Sequence, residues 1–423
     1  MFQFKRYQEM RDEIVNHIDN ARELEKLYRD NKTDFKTEFN LLYAEVKDNK
    51  LAQYWHERLN YESSEISWGS SKELVFVIIA SLVAGVIAKA PSICNIDPEF
   101  FYSRNIGLIL FPILTAYFIW RKLLSRKKIV FAGLVFLIAF IFINLLPADI
   151  KSSTLILSCI HLPIFLWAVV GFTYVGHNIK DNHKRLEFLR YNGDLVIMSG
   201  LILIAGGILT GITIGLFSAI GFNISNFYFD YIVVFSLPAV PILGTYITQT
   251  NPQLVNKVSP VIAKIFSPLV LITVVVFLAA IIFSNKNLYK DRDFLMAFNL
   301  LLIAVMAIIL FSVATTARKS ENRSGSLILF ALSIVTVIVN GIALSAILFR
   351  ISTWGITPNR LAVLGANVLM LSNLLMATFQ LFKTVSKKAG YSNVENSIAM
   401  FIPIYILWTT IVTFIFPVLF SFK

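Results

Sequence analysis

The feature that most constrains this chain is a series of eleven apolar stretches that follow a polar segment of 72 residues. A helix needs about 20 apolar residues to cross the hydrocarbon core of a bilayer, and a helix satisfies its own backbone hydrogen bonds in lipid. We therefore predict an all-α fold, a polytopic transmembrane helix bundle of about 11 spans. The predicted spans are 74–93, 105–120, 129–148, 154–176, 195–220, 229–250, 266–284, 294–316, 327–349, 361–382 and 396–421.

Composition separates the chain into two predicted domains, 1–72 and 73–423. Hydrophobic residues make up 56% of the 423 residues and the mean hydropathy is +0.69, more than a water-soluble globule carries. Residues 1–72 hold 12 Lys and Arg against 14 Asp and Glu, whereas residues 73–423 hold 26 against 12. The net charge of +12 therefore indicates membrane topology, and we expect membrane lipids and not nucleic acid as partners.

The alternation of lysine- and arginine-rich loops with poorer ones predicts the orientation. Alternate loops carry 17 Lys and Arg on one side and 9 on the other. By the positive-inside rule the richer side is cytoplasmic, which places the N-terminus in the cytoplasm and Lys423 outside. A re-entrant segment at 252–265, near the cluster of Pro252, Pro260 and Pro268, would reverse everything that follows it.

Residues 1–72 are predicted to form a small helical cytoplasmic domain and its linker into the membrane. Apolar residues recur at helical spacing within 4–30, a second helix is expected after Thr33, and a third covers 51–61. A bundle of about 70 residues is only marginally stable alone. We therefore expect residues 1–60 to pack on the membrane part, to self-associate in a homo-oligomer, or to bind a protein partner.

Two predicted spans contain unusual backbone residues. In the fifth span Gly207, Gly211 and Gly215 recur every four residues, a spacing typical of close helix packing within or between protomers, with a moving gate as the alternative. In the sixth span Pro238 and Pro241 each remove a backbone hydrogen bond. A helix broken there would expose carbonyls to a solute or ion, and a simple packed kink is the other interpretation.

Polar side chains inside the predicted spans are the candidate substrate-binding residues. His161 is the histidine that lies well inside a span, where an ionisable group indicates function; the alternative is a neutral imidazole hydrogen-bonded to a carbonyl across a helix interface. Neutral amides are scattered over spans 3, 8, 9 and 10, and most are expected to join helices by hydrogen bonds. The substrate-binding hypothesis names His161, Pro238, Pro241, Asn340, Asn367 and Asn373; the other amides are Asn144, Asn299 and Gln380.

A second candidate site lies in the loop before the tenth span, in FRISTWGITPNR. Thr357 is suited to cap the following helix, and Arg350 and Arg360 bracket the loop. A helix N-terminus with two arginines favours an anion or a lipid headgroup, and plain anchoring to headgroups accounts for the same residues.

Several function classes lack their signatures. No Asp or Glu lies near the centre of a predicted span, and the chain has no phosphate-binding loop or arginine repeat of a voltage sensor. The two cysteines, Cys94 and Cys159, support neither a disulfide framework nor a metal cluster, and the spacing of His177 and His183 fits no strong metal motif. We predict no cofactor, no metal and no catalytic residues, and an enzyme is the less favoured class.

Four segments resemble a family of uncharacterised bacterial multi-pass membrane proteins, a domain of unknown function that is sometimes labelled a permease. The segments are HLPIFLWAVVGFTYVG at 161–176, WGITPNRLAVLGANVL at 354–369, LEKLYRDNKTDFKTEF at 24–39 and WHERLNYE at 55–62. The resemblance implies a location in the bacterial cytoplasmic (inner) membrane. It implies no activity, cofactor or site residue.

Two function hypotheses follow. The first is a permease-like or channel-like protein that moves or binds a small solute or lipid at the polar residues of its spans. The alternative is a non-transporting membrane sensor, scaffold or effector whose N-terminal helical domain binds a partner. A membrane enzyme acting on lipid-linked substrates is third, because the outer arginines lack an evident acid, base or metal.

Overall fold

The computed structural model describes residues 10–30, 32–60, 69–149, 151–176, 179–283, 289, 291–316, 323–388 and 390–422. Within these ranges 32–34, 37, 60, 253–264, 280–283, 292–294, 297, 315–316 and 323 are described by their backbone alone. Over all the described residues the chain is helical and contains no β-strand. It divides into two compact units, Met1–Ile66 and Ser67–Lys423.

The N-terminal unit contains four described helices: α1 (10–16), α2 (Ala21–Asp30), α3 (Lys32–Val46) and α4 (Lys50–Asn60). The predicted helix within 4–30 is interrupted after residue 16, where Oδ1 of Asn20 accepts the backbone N–H of Arg22 at 3.2 Å and begins α2. Phe35, Phe39 and Trp55 form a buried aromatic centre between the helices. The unit therefore has its own hydrophobic core. Of the linker predicted at 62–71, residues 62–68 lie outside the described residues and Ser71 already begins α5.

The second unit is built from long apolar helices. They are α5 (Ser71–Cys94), α6 (Pro98–Lys122), α7 (Arg126–Leu145), α8 (Ser153–Val175), α9 (Asn182–Ala219), α10 (Ser225–Thr250), α11 (Pro252–Phe283), α12 (Arg292–Thr316), α13 (Arg323–Trp354), α14 (Pro358–Val385) and α15 (Ser392–Leu419). Among the described residues, nine of these are long and apolar enough to cross a membrane. The other two, α11 and α12, hold the shorter apolar segments Ile265–Ala279 and Phe298–Ala314. The chain is thus an all-helical, multi-pass membrane protein.

Three helices differ from the predicted spans. Helix α6 has 25 residues and is longer than the second predicted span, 105–120. Helix α9 has 38 residues and begins at Asn182, because its first turns bury Leu186, Phe188 and Tyr191 against neighbouring helices. The backbone of α11 is one continuous helix, so the re-entrant segment considered at 252–265 is not formed.

The prolines of α10 do not break it. Pro238 and Pro241 lie inside a helix that continues to Thr250, and a π-helical turn at Tyr228–Val233 precedes them. The two prolines leave the carbonyls of Val234 and Leu237, four residues before each, without their usual helical donors. The helix is continuous through both prolines, so of the two interpretations the broken helix is not formed.

Two main cores hold the membrane unit together. The first joins α5, α6, α8, α9 and α10 around Tyr117, Phe118 and Tyr191. The second joins α11, α12, α13, α14 and the start of α15 around Phe298 and Leu374. The second core contains the candidate site.

Candidate functional site

Three asparagines of the substrate-binding hypothesis lie completely buried in the second half of the membrane unit. Asn340 of α13 and both Asn367 and Asn373 of α14 are 0% exposed. On α14, Asn367 and Asn373 lie on the same buried stripe as Met370 and Leu374, at helical spacing. Helices α13 and α14 pack along each other, so the three amides lie in the same half of the bundle. We name these three residues the asparagine set.

Two members of the asparagine set make hydrogen bonds to other helices. Asn367 donates from Nδ2 to Oδ1 of Asn299 on α12 at 2.8 Å. Asn373 donates from Nδ2 to the hydroxyl of Tyr405 on α15 at 3.1 Å. These bonds are the interhelical links expected of neutral amides in a membrane protein. Another such link joins α6 to α7, where Asn105 and Asn144 exchange two bonds of 3.0 and 2.9 Å.

The asparagine set nevertheless retains unused hydrogen-bonding groups. Neither Nδ2 nor Oδ1 of Asn340 has a partner among the residues that the structure describes, and the same holds for Oδ1 of Asn367 and Oδ1 of Asn373. An exchange of nitrogen and oxygen leaves the deficit at Asn340 unchanged. A buried polar group without a partner lowers the stability of the folded protein by roughly 1–3 kcal/mol. The unpartnered groups are therefore destabilising unless another molecule forms hydrogen bonds with them.

A buried indole N–H lies on a different face of α14. Trp408 of α15 packs directly on Gly365 of α14, where a Cβ atom would overlap the ring. Its Nε1 is buried and has no hydrogen-bond partner within the described part of the chain. Gly365 lies two residues before Asn367, about 200° around the helix, so the indole is not part of the asparagine set. The groups available in the asparagine set are thus the donor Asn340 Nδ2 and three amide oxygens.

The surroundings of the asparagine set carry no charge. The sequence has no Asp, Glu, Lys or Arg within 294–316, 324–349, 361–382 or 396–422, which make up most of α12 to α15. An ion placed among these helices would keep its full desolvation cost without a counter-charge. The chemistry of the site therefore suits an uncharged molecule that both donates and accepts hydrogen bonds.

The remaining residues of the substrate-binding hypothesis lie elsewhere. His161 is half-buried on α8, where its Nδ1 donates to Leu157 O of the preceding turn at 2.8 Å. Pro238 and Pro241 lie on α10, which packs mainly on α5 and α9. A cavity of about 340 Å³ in the bundle has none of the three in its lining. No described hydrogen bond joins them to the asparagine set. Pro238 and Pro241 lie on a helix with other main neighbours, whereas α8, the helix of His161, also contacts α14.

The arginines of the predicted anion site are near each other but engaged. The guanidinium groups of Arg350 and Arg360 lie 5.2 and 5.8 Å from the ring of Trp354. Arg360 donates to the carbonyls of Trp354 and Gly355 at 2.8 and 2.7 Å, at the end of α13. Thr357 caps α14 as expected, accepting the N–H of Arg360 at 3.4 Å. The arginines hold the connection between α13 and α14.

The glycine stripe does not pack against another helix of the chain. A Cβ atom added to Gly207, Gly211 or Gly215 would meet nothing within 4 Å. The most apolar stretch of α9, the helix that carries them, has no buried residue. The expectation of packing inside the protomer is therefore wrong for these glycines, while packing between protomers stays a prediction.

Two polar networks were not anticipated from the sequence. At the start of α5, Oε1 of Glu73 accepts the hydroxyl of Tyr117 at 2.6 Å and Nη1 of Arg121 at 2.7 Å. The signal available in the sequence was the spacing of four residues between Tyr117 and Arg121, which puts them on one face of α6. Near the other end of α6, the buried Arg104 donates to Ile143 O at 2.5 Å and to Leu146 O at 3.0 Å, capping α7. Local sequence held no sign of that contact.

Neither a cluster of metal ligands among the described residues nor a similar known protein indicates what the site binds. Among the described residues no three His, Cys, Asp or Glu side chains are grouped to hold a metal ion, and His177 lies outside those residues. Cys94 and Cys159 are free thiols. No protein-family model, no curated protein and no solved structure matches the chain.

Proposed function

We propose that this protein is permease-like: it binds a small, uncharged, hydrogen-bonding solute among α12, α13, α14 and α15 and moves it across the membrane. The observation that carries the proposal is Asn340, a fully buried amide with both polar atoms unpartnered within the described residues. An amide that served only to join two helices would be expected to use at least one of these atoms, as Asn144 and Asn299 do.

The buried position of the asparagine set implies an occluded arrangement. Asn340, Asn367 and Asn373 have no exposed surface. Entry and exit of a solute would require the helices to part, alternately toward either side, as transporters do around a site near the membrane midplane. The apolar core around Phe298 and Leu374 would then form the barrier on either side of the amides.

The proposal also includes a particular membrane, a number of spans and an orientation. We place the protein in the bacterial inner membrane with about 11 spans, counting the apolar segments of α11 and α12, and with a cytoplasmic N-terminus. The support is the charge alternation of the loops, with 17 Lys and Arg on one side and 9 on the other.

The experiment that tests the proposal measures solute flux into proteoliposomes containing the purified full chain. Urea, acetamide and glycerol serve as uncharged probes, and acetate and ammonium as charged ones. We expect at least one uncharged probe to enter faster than into empty liposomes, and the Asn340→Leu variant to lose this flux. Ser372→Ala is the matched control, because Ser372 lies on α14 beside Asn373 but is exposed on the outer surface.

The competing class, a sensor or scaffold, predicts a different pattern. If no probe enters and deletion of residues 1–60 abolishes the cellular phenotype while Asn340→Leu preserves it, the N-terminal unit carries the function and the spans serve as an anchor. Flux that is equal in the wild-type protein and the Asn340→Leu variant would also contradict the proposed site.

A further inference from the structure

A lateral cavity of about 340 Å³ lies between α7, α8, α9 and α15, away from the asparagine set. Its lining is apolar and aromatic apart from Arg185. Phe131 of α7 and Ile179 before α9 line it while being 53% and 43% exposed, so the cavity opens sideways from the bundle. A volume of a few hundred cubic ångströms is typical of small-molecule sites.

The cavity lies at the lysine- and arginine-rich ends of its helices. Phe131 is five residues from the start of α7 at Arg126, and Val175 is the last residue of α8. Arg185 is in the first turn of α9 and contributes to the cavity wall. The open side therefore faces one leaflet, close to its headgroup region, on the side predicted to be cytoplasmic.

Two cations at this end have no carboxylate partner among the described residues. Arg185 is half-buried and donates from Nε to Ile179 O at 3.0 Å and from Nη1 to the Asn182 amide oxygen at 3.2 Å. Lys128 donates to Gly176 O at 2.6 Å, and its Nζ lies 5.8 Å from the ring of Phe172, which lines the cavity. Both groups have donors to spare for an anion at the cavity mouth.

We propose that the cavity binds one acyl chain of an anionic phospholipid, whose phosphate contacts Arg185 with Lys128 as the second cation. A partner helix about 10 Å across is too large for the space. A lipid chain gains no hydrophobic free energy on leaving the bilayer for an equally apolar cavity. The charged headgroup must therefore supply the affinity, and the cations at the mouth make the site selective for negative lipids.

The experiment is native mass spectrometry of the full chain in detergent, titrated with phosphatidylglycerol or the zwitterionic phosphatidylcholine. We expect phosphatidylglycerol to bind more tightly, and Arg185→Gln to weaken it about tenfold, the effect of losing a charged hydrogen bond. Arg185→Lys should retain most of the binding. Ala168→Phe, which fills the cavity, should abolish it, whereas Leu137→Phe on the exposed surface of α7 should not.

Three results would overturn the proposal: equal binding of the two lipids, equal effects of Ala168→Phe and Leu137→Phe, or full competition by free glycerol phosphate. A second measurement requires no cavity-filling variant. Trp167 lines the cavity, so brominated phosphatidylglycerol should quench its fluorescence, and the quenching should be smaller in Trp167→Phe. Identical quenching in the two proteins would place the lipid elsewhere and contradict the site.

Discussion

Asn367 donates its amide Nδ2 to Oδ1 of Asn299 at 2.8 Å and thereby joins α14 to α12 in the membrane. The other atom of the same amide, Oδ1 of Asn367, has no partner among the described residues. The amide nitrogen of Asn367 thus joins two helices, while its amide oxygen is available to the candidate site. Both polar atoms of the Asn299 amide have partners, because its Oδ1 accepts from Asn367 and its Nδ2 donates to Leu295 O at 2.8 Å. This contrast between used and unused amides allows the two roles to be separated by mutation.

Leucine substitutions at Asn340 and Asn299 should change stability in opposite directions. Asn340→Leu replaces an unpartnered amide by an apolar group of similar size, so we expect thermal stability to rise by about 1–3 kcal/mol and solute flux to be lost. Asn299→Leu deprives Asn367 Nδ2 of its acceptor and should destabilise by a similar amount. Thermal unfolding of both variants in nanodiscs measures this. Equal destabilisation of the two variants would mean that the Asn340 amide is hydrogen-bonded in the folded protein and would contradict the proposed site.

Removing the carboxylate of Glu73 should loosen the junction of α5 and α6. Its side chain is 11% exposed and bonds to both Tyr117 and Arg121, so Glu73→Ala loses two hydrogen bonds accepted by the carboxylate, one from a hydroxyl and one from a guanidinium. We expect a loss of about 2–4 kcal/mol, and about half of that for Glu73→Gln, which retains an acceptor but no charge. Thermal midpoints give the values. Glu99→Ala at the exposed start of α6 is the control and should be neutral.

Loss of the Arg104 guanidinium should destabilise the end of α7. Three carbonyls, those of Ile143, Leu146 and Pro147, accept its N–H groups in a buried setting. In Arg104→Met these acceptors have no donor, and we expect a loss on the order of 3 kcal/mol. Arg126→Met, at the exposed start of α7, removes the same charge without a buried contact. If both variants unfold at the same temperature, the capping role of Arg104 is wrong.

Two glycine-to-alanine changes should separate close packing from an open helix surface. At Gly365 a Cβ atom overlaps Trp408, so Gly365→Ala must displace the indole and should destabilise by about 1–3 kcal/mol. At Gly211 the added methyl group meets nothing within 4 Å, so Gly211→Ala should be neutral or should stabilise by up to about 1 kcal/mol, because Ala favours the helix over Gly. Thermal unfolding of the monomeric protein in detergent tests both. A large loss for Gly211→Ala would reveal a helix–helix contact at that surface.

Acid should weaken the N-terminal unit through Glu25. Hydrogen bonds from Arg58 at 2.6 Å and Arg29 at 2.8 Å hold the pKa of this carboxyl below its ordinary value. Its contribution to stability is therefore complete above the unfolded pKa of about 4.3 and is lost as the pH falls through the lower folded pKa. Hydrogen-exchange protection of α2 to α4 in the full chain, measured between neutral and acid pH, reports this loss.

The matched control for this pH effect is a pair of glutamine substitutions. Glu25→Gln should reduce the acid-dependent part of the protection, whereas Glu57→Gln, at an exposed position of α4, should preserve it. If the two variants respond to acid alike, the pair formed by Glu25 and Arg58 does not stabilise the unit.

The sequence indicates which polar residues lie inside apolar spans, but not which of them come together in the folded protein. Asn340, Asn367 and Asn373 are buried polar groups in apolar spans, and a rare polar residue in such a span is visible in the sequence. The sequence does not show that Pro238 lies apart from them, because that depends on the packing of α10 on α5 and α9. Nor does it show that α8, the helix of His161, contacts α14.

The sequence by itself determined that this chain is a helical membrane protein and approximately where its helices lie. That result needs no knowledge of contacts, because each apolar segment meets lipid and must satisfy its backbone within itself. The tertiary structure alone decided which polar groups meet. Glu73 forms an ion pair with Arg121, Arg104 donates to a carbonyl at the end of α7, and Asn340 has no partner within the described part of the chain. These outcomes depend on the packing of helices distant in sequence, which hydropathy cannot specify since every helix offers lipid much the same apolar surface.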